Sequence, residues 1–163
     1  MKNLTEQLSQ YAAYHRDRRN IRTHFIGIPM IVLAVTILLA RASFDVAGVA
    51  VTPALIVAVL LTIYYLKLDL LYGVAMGVLL AVCLAIAGPL AEGDRITWLA
   101  WGVGLFVVGW VFQFVGHIYE GRKPAFLDDL MGLAIGPLFV LAEAGFLLGL
   151  RKTLESEISV RHH

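Results

Sequence analysis

The chain has 163 residues, of which 60% are hydrophobic and only 15% charged, with a formal net charge of +1. A soluble domain carries about 25% charged residues, so this composition excludes an ordinary water-soluble fold and points to one integral membrane domain. The small net charge offers no basic surface to nucleic acid, and the single cysteine, Cys83, excludes an internal disulfide.

Residues 1–24 read as an amphipathic helix followed by a polar corner. Leu4, Leu8, Tyr11, Ala12 and His15 recur at helical spacing, with Glu6, Gln7 and Gln10 between them. No apolar stretch precedes the first span, so that span itself is expected to direct insertion. It runs from Phe25 to Ala40 with Pro29 in its first turn, where a missing N–H costs nothing. A second span is expected from Val46 to Leu66, kinked at Pro53. Lys67 and Asp69 leave room only for a tight helical hairpin before a third span, Leu70 to Ala91. A fourth runs from Ile96 to Ile118, and Gly121-Arg122-Lys123-Pro124 forms a loop. The fifth, Phe126 to Leu150, is expected to be interrupted at Gly136-Pro137. Residues 151–163 form a polar helical tail, whose last residues, His162 and His163, carry no assigned role. The fold class is therefore all-α: a polytopic membrane helical bundle of about five spans over residues 25–150, plus the N-terminal helix.

Five spans place the chain ends on opposite sides of the bilayer. Lys2, Arg16, Arg18, Arg19, Arg22, Lys67, Arg122 and Lys123 then share one side, and Arg41, Arg95, Arg151, Lys152 and Arg161 the other. The excess makes the first side cytoplasmic. His15 and His24 precede or begin the first span and His117 ends the fourth, so all three fall at that same surface.

Imidazole is the commonest protein ligand of transition metals and the usual acid or base near neutral pH. Gln113, His117 and Glu120 share one helical face, as do Asn20 and His24. His15 and His24 are nine residues apart and would point oppositely on one straight helix, so they meet only if the chain bends around Asp17-Arg18-Arg19-Asn20. The sharper reading is a metal centre of His15, His24 and His117, with Glu120 as a fourth ligand and iron, zinc or copper as the ion. In that reading Asn20 and Gln113 orient the imidazoles or contact substrate. The blander one is that interfacial histidines merely sit among lipid headgroups. Arg122 and Lys123 suit a carboxylate or an acidic headgroup, or only set topology. Asp128 and Asp129 read foremost as caps of the fifth span. Glu143 lies inside that span, where a carboxylate is costly, and is not counted in the site. The clustered histidine pairs of a membrane di-iron enzyme are missing from the sequence, which favours one metal ion.

The run Tyr11-x3-His15-x4-Asn20-x3-His24-x2-Gly27-x-Pro29 and the run Gln113-x2-Gly116-His117-x2-Glu120-Gly-Arg-Lys-Pro124-Ala125 resemble the family of the fungal endoplasmic-reticulum 2-hydroxy fatty acid dioxygenase. Gly136-Pro137-Leu-Phe-Val-Leu-Ala-Glu143 is similar as well, and the resemblance covers nearly the whole chain. It implies an Fe(2+)-dependent α-oxidation, in which a 2-hydroxy fatty acid and dioxygen give a fatty acid one carbon shorter. His15, His24 and His117 would be the iron ligands, Glu120 or water a fourth, and Arg122 or Lys123 the partner of the substrate carboxylate. The setting it implies is a bacterial inner membrane, or the endoplasmic reticulum in a eukaryote, with the metal site facing the cytoplasm. A homo-oligomer is compatible with it. The rival readings are a zinc-dependent lipid hydrolase and a non-enzymatic transporter or accessory protein. A transporter would gather its ionisable residues nearer the bilayer midplane.

Overall fold

The computed structural model describes residues 1–160, so His162 and His163 lie outside the described residues. The chain is helical apart from one short hairpin, and it divides into two compact units. Residues 29–110 form one. Residues 1–28, together with those from 111 onward, form the other. The helices are α1 (Leu4–Ala12), α2 (Arg18–Leu39), α3 (Pro53–Leu68), α4 (Leu70–Glu92), α5 (Arg95–Glu120), α6 (Gly132–Leu147) and α7 (Lys152–Val160).

In the unit of residues 29–110, the expected second span is shortened from its start. Phe44–Val46 (β1) and Val49–Val51 (β2) pair antiparallel, Phe44 opposite Val51. Ala47 and Gly48 turn between them with φ of 51° and 84°, the left-handed pair that a two-residue hairpin requires. Thr52 then accepts the Leu55 N–H, and Pro53 takes the first helical position. Pro53 therefore starts α3 and does not kink it, because its missing N–H falls where a helix has no partner for one. Asp69 alone separates α3 from α4. It receives the Tyr72 N–H on its carboxylate, as the cap of α4. The two helices approach so closely that a Cβ on Gly73 would lie 2.5 Å from Leu66 Cα. At the other end Arg41 donates to the carbonyls of Ala91 and Gly93, over the Trp98 ring, and Trp98 donates to Ile37 O.

Among the described residues, α2, α4 and α5, with 22, 23 and 26 residues, are long and apolar enough to cross a bilayer. The α3 helix is apolar but has 16 residues. The α6 helix qualifies only if joined to α7 across a 116° bend, giving three spans or up to four on that test. The α6 helix also differs in what it faces. It buries Ile135, Leu138, Phe139, Ala142 and Phe146, whereas α4 and α5 expose Val74, Val78, Val107 and Val111.

In the other unit α1 opens on a reciprocal cap between Asn3 and Glu6. It packs its buried Leu4, Leu8 and Tyr11 side against α6 and α7. Thr5 Oγ1 donates to Glu157 of α7 at 3.3 Å. The first and last helices thus lie together. The expected fifth span is corrected accordingly: residues 125–131 form a 3-10 turn and loop, α6 begins only at Gly132, and it runs unbroken through Pro137. The first long helix also begins seven residues earlier than expected. Asp17 Oδ1 accepts the Arg19 N–H, which starts α2 at Arg18 and leaves Pro29 inside the helix.

Candidate metal centre

The chain breaks where the histidine spacing requires a break, slightly earlier than the expected corner. Helix α1 ends at Ala12 and α2 begins at Arg18, so His15 sits in the turn itself. His24 lies on the second turn of α2 and His117 near the end of α5. The two helices touch at Gly116, where a Cβ would strike Thr23 Oγ1 and Asn20 Oδ1. Glycine at that position lets His24 and His117 face each other.

The three imidazoles each offer a nitrogen within 4.8 Å of the others. They are 3%, 1% and 7% exposed for His15, His24 and His117. Each Nδ1 faces a backbone carbonyl: Tyr11 O at 2.7 Å from His15, Asn20 O at 2.9 Å from His24, and Arg122 O at 3.2 Å from His117. A carbonyl only accepts, so each Nδ1 carries the hydrogen and each Nε2 keeps its lone pair. The His15 and His24 Nε2 atoms are 2.9 Å apart. Two lone pairs at that distance repel unless a proton or a cation lies between them. Burial, reinforced by the neighbouring His24, pushes His15 far below the usual imidazole range, to about 2, which disfavours the proton. Two donors about 2.1 Å from one ion and near a right angle would stand about 3 Å apart, so the His15 and His24 pair fits a transition metal, with His117 close enough to be a third donor. Tyr11 stacks on His15 at 4.1 Å between ring centres, nearly parallel, and Phe139 of α6 adds a second wall at 5.6 Å. Tyr11, one helical turn before His15 and at the head of its motif, is a residue the sequence already offers as lining the site, with interfacial tyrosine as the blander reading; Phe139 carries no such signal.

Glu120 stands outside this group. Its Oε1 accepts the Arg16 N–H at 2.9 Å, and its Oε2 accepts the Asp17 N–H at 2.8 Å and Asn20 Nδ2 at 3.1 Å. The structure thus brings the expected fourth ligand to the corner that carries His15, while Asn20 supports the same carboxylate. Gln113, one turn before His117, is buried, and its Oε1 meets no hydrogen-bond donor among the described residues. Arg122 and Lys123 part company. Lys123 pairs with Asp128 at 2.7 Å, and Tyr14 donates to the same carboxylate. These two hydrogen bonds hold Asp128 below the usual carboxylate range. Arg122 lies over the Tyr14 ring at 4.3 Å and donates to Ala13 O at 3.2 Å. Its charge is held beside the histidine corner without an ion-pair partner among the described residues.

A family model described as 2-hydroxy-palmitic acid dioxygenase Mpo1-like matches residues 1–147. The chain is 35% identical over 167 aligned residues to the 2-hydroxy-palmitic acid dioxygenase of Saccharomyces cerevisiae, covering 98% of this chain and 91% of the relative. No solved structure matches.

Proposed function

We propose that this chain, which belongs to the 2-hydroxy-palmitic acid dioxygenase Mpo1-like family, is a membrane dioxygenase that shortens 2-hydroxy fatty acids by one carbon using Fe(2+) held by His15, His24 and His117. The observation that carries this reading is the convergence of three imidazole nitrogens whose opposite nitrogens are all tied to carbonyls. Bound iron would supply open positions for oxygen donors and the electron transfer that dioxygen chemistry needs. The reaction balances as 2-hydroxy acid plus dioxygen giving the shorter acid, carbon dioxide and water.

The chain's own residues divide the remaining work. Arg122, unlike Lys123, has no ion-pair partner among the described residues, and its guanidinium takes the substrate carboxylate. Gln113 Oε1 accepts from the substrate hydroxyl. Tyr11 and Phe139 keep water from the His15 side of the ring cluster. Depth suits a lipid substrate. On α2 the exposed Arg22 and the exposed Ile26 flank His24, and on α5 the exposed Ile118 follows His117, with Arg122 four residues beyond. Each helix therefore changes from headgroup to hydrocarbon character at its histidine, where a fatty acid also changes from polar to apolar. With 2-hydroxypalmitate and ferrous protein, oxygen uptake should match formation of the shorter acid one for one and cease under argon. A product that forms equally without oxygen would favour the zinc hydrolase and end this reading.

The lipid-facing character of α2 to α5 and the buried character of α6 support four crossings. The 13 Lys and Arg residues then divide eleven to two, since only Arg41 and Arg95 fall on the far side. That asymmetry supports a metal centre on the cytoplasmic face. In a Cys83→Ala background, Ser43→Cys should react with an impermeant maleimide from outside the cell and Ser156→Cys only after permeabilisation. Labelling of Ser156→Cys from outside would restore the fifth crossing.

A further inference from the structure

The segment joining α5 to α6 inverts the polarity of a water-facing loop. Leu127, Leu130 and Leu133 are 59%, 75% and 52% exposed, and Met131 is exposed beside them. The acidic residues among them are engaged by the protein: Asp128 by Tyr14 and Lys123, and Asp129 by the Met131 N–H at 3.0 Å. Most of the loop's backbone N–H groups are bonded within it. The N–H groups of Leu127, Asp128, Asp129, Met131, Gly132, Leu133 and Ala134 all donate within the segment from Pro124 onward. It is closed tightly, since a Cβ on Gly132 would lie 3.0 Å from Phe126 N. Bonding these N–H groups inside the segment lowers the cost of bringing its apolar side chains against a poorly hydrated surface such as the lipid interface.

We infer that this loop is a membrane-seated lip lying at the headgroup–acyl boundary, its leucine side chains dipping into the leaflet on the side of the metal centre. Lipid is the occupant argued for because the exposed stripe of α5, Val107, Val111, Phe114 and Ile118, leads along the chain to the loop. Arg122 and Lys123, between that stripe and the loop, are both exposed at the position of headgroup anchors. The lip also borders a small cleft lined by Gln7, Tyr11, Ala125, Asp129 and Gly132. Tyr11 closes that cleft on one side and stacks on His15 on the other. If the substrate is a fatty acid, which rests on the reading above, its acyl chain can leave the bilayer across this lip. Insertion itself does not depend on the substrate.

The test is a nitroxide on Leu130→Cys in the Cys83→Ala background, reconstituted in phosphatidylcholine–phosphatidylglycerol vesicles and compared with Val111→Cys and Ser156→Cys. Oxygen should relax the label at Leu130 at least about twofold more than a water-soluble nickel chelate does, as at Val111→Cys, with the reverse at Ser156→Cys. Leu127→Cys should behave like Leu130→Cys if the latter fails to fold. Dominance of the nickel chelate at Leu130→Cys would place the loop in water. Exclusion of both relaxants, with spin–spin broadening that disappears on dilution with unlabelled chain, would show a second copy covering it. Either result overturns the proposal.

Discussion

Alanine at His15, His24 or His117 is expected to strip the protein of bound metal and to lower activity at least about 100-fold, more than loss of a ligand's orienting partner does. The reason lies in the count of donors. Three imidazole nitrogens converge, and the nearest carboxylate on the adjoining helix, Glu120, is taken up by the corner's N–H groups. Removal of one imidazole leaves two, with no other His, Cys, Asp or Glu of the described residues in the group to replace it. The three variants should fail alike in metal content while differing in stability. His24 is almost wholly buried in α2, and its removal opens a cavity. His15 lies in a turn against Tyr11, whose ring would lose its stacking partner. Metal also stabilises whatever fold it binds, by about 2.7 kcal/mol when present at 100 times its dissociation constant. Chelation should therefore lower the melting temperature of the parent chain and leave that of each alanine variant unmoved. The measurement is metal per chain by elemental analysis, with oxygen uptake and a melting curve on the same preparations. One alanine variant that keeps both its metal and its rate removes that histidine from the site.

Span counting alone put all three histidines at one surface, and the structure groups them, because His24 and His117 sit near the ends of strongly apolar helices that hydropathy locates well. The need for a break between His15 and His24 was also legible, since nine residues of straight helix would turn the rings apart. Hydropathy reads composition and not surroundings, and there it misleads. Helix α6 is as apolar as its neighbours, yet it packs on α1, which also packs on α7, and these short amphipathic helices do not announce what they cover. Residues 46–51 read as the start of a span because Val46, Val49 and Val51 are apolar. The turn at Ala47-Gly48 and the cap at Thr52 are local signals of a hairpin followed by a helix start. The role of Glu120 was beyond periodicity. Its spacing from His117 was correct for one face, but the donors it meets are backbone groups about a hundred residues earlier.

Glu120→Gln is expected to weaken metal binding by about 10- to 100-fold, as loss of a ligand's orienting partner commonly does, without changing the ligand set. Both carboxylate oxygens accept backbone hydrogens from the turn that carries His15, and one also holds Asn20, four residues before His24. An amide at this position keeps one accepting oxygen and turns its NH2 toward a second donor. One backbone N–H is then left facing another donor, at a cost of about 1–3 kcal/mol. The turn can relieve that conflict only by moving, and His15 moves with it. Glu120→Asp keeps the charge but is one methylene short, so it should weaken binding in the same direction. Asn20→Ala removes only one of the three donors and should do less. Cobalt(II) makes the distinction from a direct ligand. If Glu120 positions His15, the visible spectrum of the cobalt-loaded Glu120→Gln variant should match that of the parent at saturation, with only the dissociation constant shifted. Loss of an oxygen donor would instead alter the band positions and intensities. An altered spectrum makes Glu120 a ligand after all, and an unchanged dissociation constant makes the clamp irrelevant to the metal. The helical content of the metal-free variants provides the control, since a weakened clamp should leave α2 and α5 formed.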